Sequence, residues 1–358
     1  MNILLVRLRQ IGDVAFTTPA VRALRQHFPY AHIAYLVEPA AQSLVAHNTA
    51  LDEVIVAPRT SGWRGLVNDV RLGARLRRAR FDLAIDFHGG PRASLLTWLS
   101  GAPRRIGYEI TGRSWMYTER VSRPRALRAR HSVENQWDLL VSLGLPPASR
   151  DRFPVEMPID PDAAVSVAAK LAACGYVSGD RLAVLHVSAG NPFRRWPIES
   201  FGEVAASLIA RHPGLRVIVT SGPSEIDAAA KTVEAARARL TAAEQPLVAA
   251  PDDLSLAELR ALVERAALYI GGDSGPMHIA ATSSVPIVSL YGPTLPARSE
   301  PWRARPERAI AVEIADLPCR PCEQRTCEPG DFRCLGRIQP SAVLDAAERL
   351  LSQTGQAG

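Results

Sequence analysis

Short apolar runs alternate along this chain with amphipathic stretches of helical length, and that alternation limits its possible folds more than any other feature. The runs lie at 2–8 (NILLVRL), 32–37 (HIAYLV), 53–57 (EVIVA), 82–87 (DLAIDF) and 105–108 (RIGY), with helical patterns between most of them. The pattern pauses at a proline-bearing stretch, RDRFPVEMPIDPD (150–162). It restarts with RLAVLHVS (181–188), LRVIVTS (215–221), PLVAA (246–250), ALYIGG (267–272) and PIVSLYG (286–292). Strands alternating with helices specify a parallel sheet covered by helices on both faces. Two such sets predict an α/β chain of two Rossmann-like domains, 1–155 and 156–358, with the last helix able to pack back on the first domain. In open α/β sheets ligands sit beyond the carboxyl ends of the strands. The chemistry is therefore expected in loops directly after strands, in a cleft between the domains.

Composition supports a globular protein: 358 residues at 47% hydrophobic and 22% charged can bury a large core. The chain opens on a strand-like run with no basic, apolar leader, and no stretch approaches the roughly 20 apolar residues of a membrane span. A cytoplasmic address with reduced cysteines is the expectation. Charge is divided unevenly. Residues 1–150 hold 21 arginines against 11 acids, net +10, and the remainder is net −4. Arg71, Arg75, Arg77, Arg78 and Arg80 cluster on one predicted helix, and Arg104, Arg105, Arg113, Arg120, Arg123, Arg125, Arg128 and Arg130 follow. A solvated basic face in an arginine-rich composition is the plain alternative, since Lys170 and Lys231 are the only lysines. The basic runs lack interleaved aromatics for base stacking, so a phosphate-rich or membrane-surface partner is favoured over nucleic acid.

Four loops carry polar residues suited to chemistry. The first, RLRQIGDV (7–14), puts Gly12 and a lone carboxylate, Asp13, between a strand and a helix capped by Thr18 with Pro19 at its first position. On position alone, a complement to the helix dipole or a solvated loop acid is the plainer reading of Asp13. Only Gly12 is present where a dinucleotide fingerprint needs three glycines, which argues against a dehydrogenase. The second, YIGGDSGPMHIAA (269–281), follows a strand with Asp273 and a helix opening at Ser274 and Gly275. Free amides of Gly275, Met277 and His278 would seat a phosphate or diphosphate. The third, HVSAGNPFRRWPIESF (186–201), offers Ser188, Arg194 and Arg195, an arginine pair able to grip a diphosphate; a surface pair beside a core Trp196 is the alternative. In the fourth, TSGPSEIDAAA (220–230), Glu225 near a helix start could bond ribose hydroxyls or complement the dipole.

Taken together, ILLVRLRQIGDVAFTTPAVRALRQHFP, DFHGGPRASLL, RRIGY, HSVENQWDLLVSLGL, HVSAGNPFRRWPIESF and GGDSGPMHIAATSSVPIVSLYGPT resemble successive blocks of the heptosyltransferase family, glycosyltransferase family 9, over almost the whole chain. The resemblance implies a GT-B fold, two Rossmann domains with parallel sheets facing across a cleft. It also implies metal-independent, inverting transfer of heptose from ADP-heptose to the lipopolysaccharide inner core. Asp13 would be the general base, and Asp273, Ser274, Gly275, Met277 and His278 would hold the sugar nucleotide with Ser188, Arg194, Arg195 and Glu225. Arg194 stands where the family usually has lysine; its guanidinium is a wide fork rather than a point charge. Gly12, His88, Arg92 and His131 are the acceptor-side candidates for an anionic glycolipid at the inner face of the cytoplasmic membrane. His88, His131 and Glu109 are the bases to consider after Asp13.

The chemistry accords with a single carboxylate. Inverting transfer from a sugar diphosphate needs one base for the acceptor hydroxyl, and the diphosphate leaves unprotonated. A retaining glycosidase needs two carboxyls about 5–5.5 Å apart. A related transferase using another nucleotide sugar, or a two-domain homologue that binds nucleotide or glycan without turnover, is the alternative. Cys319, Cys322, Cys327 and Cys334 form a cluster resembling a structural zinc or iron–sulfur site. Reduced thiols in a stiff loop, or a disulfide, compete with that reading. No required metal or cofactor is expected.

Overall fold

Runs such as Ile3–Val6 and Leu182–Leu185 carry no polar side chain, so they are stable only where both faces of a sheet are covered. In the computed structural model these runs become the central strands of two parallel sheets. The structure describes residues 1–122, 130–177 and 179–354, so Arg123, Arg125 and Arg128 lie outside the described residues.

The chain divides into two units. The first, Met1–Pro158 with Trp302–Ala304, holds strands β1 (Asn2–Val6), β2 (His32–Val37), β3 (Glu53–Val56), β4 (Leu83–Asp86), β5 (Arg104–Tyr108) and β6 (Glu119–Val121), in the order β3-β2-β1-β4-β5-β6. The second, Ile159–Pro301 and the chain from Arg305 onward, holds β7 (Arg181–His186), β8 (Leu215–Thr220), β9 (Val248–Ala249), β10 (Leu268–Gly272), β11 (Ile287–Tyr291) and β12 (Ala309–Glu313), in the order β12-β11-β10-β7-β8-β9. All pairings are parallel, β1 pairing with both β2 and β4, and β7 with both β8 and β10. Each unit is therefore a doubly wound sheet whose order reverses beside its first strand. In such folds the crevice for a ligand opens at that reversal, between the loops after β1 and β4 and between those after β7 and β10.

Each sheet has its own core. Leu4, Val6, Ala34, Leu36, Ile55 and Ala84 pack with Leu76, Ala93 and Leu96 from helices in the first unit. Leu185, Val217, Ile270 and Val288 pack with Phe201, Val204 and Leu208 in the second. The last helix, Pro340–Thr354, lies on the sheet of its own unit, because Val343, Leu344, Ala347, Leu350 and Leu351 belong to that second core. The first unit instead recovers Trp302. Its indole N–H donates to the Phe153 carbonyl at 2.8 Å, and its own carbonyl accepts from the Val155 amide at 3.0 Å. The proline-bearing stretch at which the strand pattern pauses is thus partly core, with Phe153, Val155 and Met157 buried.

The ten expected strands are present, and among the described residues two more were not foreseen, β6 and β12, both at sheet edges. Two further details differ. The helix after the first loop is Thr18–His27 with Thr17 at its N-cap, one residue earlier than expected, because the Thr18 hydroxyl turns back to the Ala15 carbonyl at 2.8 Å. Arg80 lies beyond the end of the helix Gly62–Arg78, at a positive φ of 52°, so it does not share that helix with the other arginines.

Candidate functional site

In the first unit the loop after β1 contains a turn of helix, Ile11–Ala15, and Asp13 sits in that turn rather than in open loop. A carboxylate in the first turn is stabilised by the amide dipoles. A second partner, missed in the sequence, is Arg7, which reads as part of a strand. It is 8% exposed, its Nη1 donates to the Phe87 carbonyl, and its Nη2 is ion-paired with Asp13 Oδ2. The carboxylate is thereby aimed, yet its side chain remains 38% exposed, so a hydroxyl can reach it.

The loop after β4 is built on Asp86, a buried carboxylate also missed in the sequence. Its Oδ1 accepts from the amides of His88 at 2.8 Å and Gly89 at 2.9 Å, and its Oδ2 from the Tyr117 hydroxyl at 2.6 Å. Burial pushes the Asp86 carboxyl above its ordinary range, against the opposing pull of those three donors and of Arg7. Gly89, with φ of 67°, makes the turn, and the His88 ring lies over Gly90, where a Cβ would come within 3.0 Å of Nε2. His88 thus follows β4 in the loop beside the same order reversal.

Two other acceptor-side candidates are tied into the fold. Arg92 grips Asp69 with Nε and Nη2 (2.8–3.1 Å) and also reaches Glu38 Oε1 at 3.1 Å and the Pro58 carbonyl at 2.9 Å. Its fork is spent on joining its helix to the neighbouring one. His131 is 2% exposed and caps the helix Ser132–Trp137, its Nδ1 accepting from the Val133 amide at 3.1 Å, with its ring against Phe16 and Trp302. Gly12 lies within the Ile11–Ala15 turn, its carbonyl accepting from Phe16 at 3.0 Å, and Glu109 is exposed just after β5.

In the second unit Asp273 follows β10 directly and is 2% exposed. Its Oδ2 accepts from Thr294 Oγ1 at 2.5 Å and Arg194 Nη1 at 3.3 Å, and Oδ1 lies 3.6 Å from His278 Nε2. Burial alone would raise its pKa, but His278, Arg194 and Thr294 outweigh it and hold the carboxyl down at about 2. Arg194 also donates from Nη1 to the Asp273 carbonyl at 3.0 Å, while its Nε is held by Gln324 Oε1 at 2.7 Å. The same oxygen accepts from Asn191 Nδ2 at 2.9 Å. Arg194 remains 29% exposed. Gly272 permits this arrangement, because a Cβ there would come within 2.9 Å of the Arg194 carbonyl.

The amide seat is smaller than expected. In the helix Gly275–Ala280, the N–H groups of Met277 and His278 both turn to the Ser274 carbonyl, at 3.1 and 3.4 Å, so of the three only that of Gly275 is not spent on it. Ser274 occupies the N-cap, but its side chain makes no capping bond.

After β7, the Ser188 hydroxyl accepts from the Gly222 amide at 2.7 Å and lies 3.1 Å from His186 Nε2, while His186 Nδ1 lies 3.0 Å from Thr220 Oγ1. This buried chain ties the end of β7 to that of β8, and burial lowers the His186 pKa to about 4. Arg195 is ion-paired with Glu225 and donates to the Ala189 carbonyl at 2.8 Å. Trp196 is a core residue, as its alternative reading had it.

Cys319, Cys322, Cys327 and Cys334 are free thiols that line one open cavity of about 390 Å³ with Phe193, Arg320 and Phe332. Among the described residues no group of three or more His, Cys, Asp or Glu side chains is arranged to hold a metal ion. The loop bearing these thiols braces the Asp273 site. Gln324 belongs to it, and Arg320 donates to the Thr294 carbonyl at 2.7 Å.

Comparison with known proteins gives a consistent result. Residues 70–332 match the model of glycosyltransferase family 9 (heptosyltransferase). The chain is 26% identical over 353 residues to lipopolysaccharide heptosyltransferase 3 of Escherichia coli, covering 97% of this chain and 99% of that one. It superposes on a family 9 glycosyl transferase from Veillonella parvula with a TM-score of 0.83 at 26% identity, covering 98% and 97% of the two chains. The TM-score is 0.79 at 20% identity with E. coli ADP-heptose lps heptosyltransferase II, covering 99% and 100%. The α/β, GT-B fold class expected from the sequence is the one these neighbours share.

Proposed function

Since the chain belongs to glycosyltransferase family 9, the heptosyltransferase family, we propose that it transfers heptose from ADP-heptose to an inner-core lipopolysaccharide acceptor, with inversion, at the cytoplasmic face of the inner membrane. The observation that carries this reading is the Asp13 carboxylate, aimed by Arg7 and open to solvent at the order reversal of the first sheet.

In the reaction, Asp13 takes the proton of the acceptor hydroxyl as that oxygen forms its bond to the anomeric carbon. The bond from that carbon to the diphosphate breaks on the opposite face, and ADP departs with the electron pair. Arg194 meets the charge of the departing diphosphate, supported by the Gly275 amide and by Arg195. Asp273 is a poor base with its carboxyl at about 2, which suits it instead to accept hydrogen bonds from donor hydroxyls and to hold Arg194 and His278. Glu225, beside Arg195, is available to ribose hydroxyls. On the acceptor side His88 and the Gly12 backbone flank the base.

The test is transfer itself. With ADP-heptose and a heptose-free inner-core acceptor, the product should gain one heptose by mass and ADP should appear only when both substrates are present. ADP release without acceptor, or nucleotide binding with no transfer to any inner-core acceptor, would overturn the reading. Because arginine and amide groups are assigned the diphosphate charge, turnover should survive exhaustive treatment with EDTA; loss restored by one added metal would refute that assignment.

A further inference from the structure

The helix Gly62–Arg78 turns an apolar ridge outward. Trp63, Leu66 and Val70 are 73%, 62% and 56% exposed, and their spacing of three and four residues sets them in one line along the helix. Exposed Ala74 continues that line. The face beside the ridge is fixed to the first unit. Gly65, Gly73 and Leu76 are buried, Gly73 so close to Leu99 that a Cβ would meet its Cδ1 at 2.7 Å, and Asp69 is gripped by Arg92. The ridge therefore cannot roll inward without breaking these contacts.

Arginines border the ridge. At 100° per residue, Arg64, Arg71 and Arg78 lie along one flank, and Arg77 falls in the line of the ridge itself beyond Ala74, all exposed; Arg75, further round, is paired with Glu53 at 2.8 Å. The adjoining helix, Pro91–Leu99, carries Trp98 in edge contact with Trp115 at 5.5 Å, two more exposed indoles.

An apolar line bordered by cations, with tryptophan at its start, is the pattern of a helix lying in the plane of an anionic bilayer surface. A second copy of the chain fits poorly, because it would bring the same arginines against these. We propose that Gly62–Arg78 docks the first unit on anionic lipid, with Trp63, Leu66 and Val70 entering the headgroup boundary and Arg64, Arg71 and Arg78 meeting lipid phosphates. The proposal rests on the transferase reading only for its purpose, which is to bring the base-bearing unit to a lipid-borne acceptor.

The test uses the full chain and vesicles of phosphatidylglycerol mixed with phosphatidylcholine, with neither donor nor acceptor present. The protein should sediment with these vesicles, less so as salt rises, and scarcely with phosphatidylcholine alone. Replacing Trp63, Leu66 and Val70 together by serine should weaken binding at least about tenfold, and each of R71Q and R78Q about fivefold. Thermal melts should be unchanged, since these side chains are exposed. Vesicle binding undiminished in the triple variant would overturn the proposal. So would absence of vesicle binding in the native chain, or a native dimer that the triple variant dissolves. Transfer to a deacylated, soluble acceptor should be equal in native and triple-variant protein, so failure of the docking surface and failure of the transferase reading give different results.

Discussion

Asp13 and Arg7 form the smallest unit on which the chemistry depends. Asp13→Asn keeps the shape of the side chain and a hydrogen bond to Arg7 but removes the proton acceptor. Turnover should fall by about a hundred- to ten-thousandfold while ADP-heptose affinity, measured by calorimetry, stays within about twofold. A carboxylate that served only to hold Arg7 would show the reverse, a lower melting temperature with near-native turnover. Gln324 is the second residue to test, because one amide oxygen fixes both Arg194 and Asn191. Gln324→Ala should weaken ADP binding about tenfold, in keeping with the loss of a hydrogen bond to a charged group, and Gln324→Glu, which retains the acceptor, should restore most of it. Equal affinity in all three proteins would dismiss the bracing role. Asp273 stood out in the sequence because it follows a strand directly, and Arg194 because it pairs with Arg195 in the loop after β7. Gln324 was not, because it comes from a loop 130 residues beyond Arg194. Arg7 was hidden by its apolar neighbours, which gave it the look of strand rather than site.

Among the elements, those with a covered position were read well and those at the margins were not. The runs that became β1, β4, β7 and β10 are buried on both faces and contain little but apolar residues. The strand β6 is Glu119–Val121, three residues with two charges, and β12 alternates half-buried and exposed residues. An edge strand needs no apolar run, because one side of its backbone and much of its surface meet water. The amide seat is smaller than the sequence suggested for a related reason: sequence locates a helix start but not which amides its first turn consumes. Packing between elements gives a third prediction. Gly272 ends β10 against the Arg194 carbonyl, so Gly272→Ala must push the Pro192–Arg194 turn aside. A cost of about 1–3 kcal/mol in unfolding free energy, together with weaker ADP binding, is expected from denaturant titration and calorimetry. Unchanged nucleotide affinity would mean that the turn accommodates the methyl without moving Arg194.

For the molecule as a whole, acid should be destabilising in two separate windows. An unfolded histidine titrates near 6.5, whereas His186 in the fold titrates at about 4 because burial penalises its charged form. Between those values the unfolded chain binds a proton that the fold refuses, so stability falls as pH drops from about 6.5 to about 4, by on the order of 3 kcal/mol in total. Asp273 acts lower. Its stabilising contribution is complete above the unfolded carboxylate value near 3.9 and is lost as pH falls toward about 2. His186→Gln, which cannot titrate, should flatten melting temperature against pH in the upper window and leave the lower one in place. A native curve already flat between pH 6.5 and 4 would show that the buried imidazole takes its proton within the fold.

Trp302 turns the layout of the chain into a matter of timing. The first unit is the first to leave the ribosome, yet the indole that completes its packing around Phe153, Val155 and His131 emerges only after Ile159–Pro301 has been made. At about 5–20 residues per second that is a wait of roughly 7–30 s. During it the Val155 amide and the Phe153 carbonyl lack the partners they have in the finished fold. A nascent chain arrested before residue 302 should therefore be cut by protease around Phe153–Met157, and one arrested with Trp302 clear of the exit tunnel should resist.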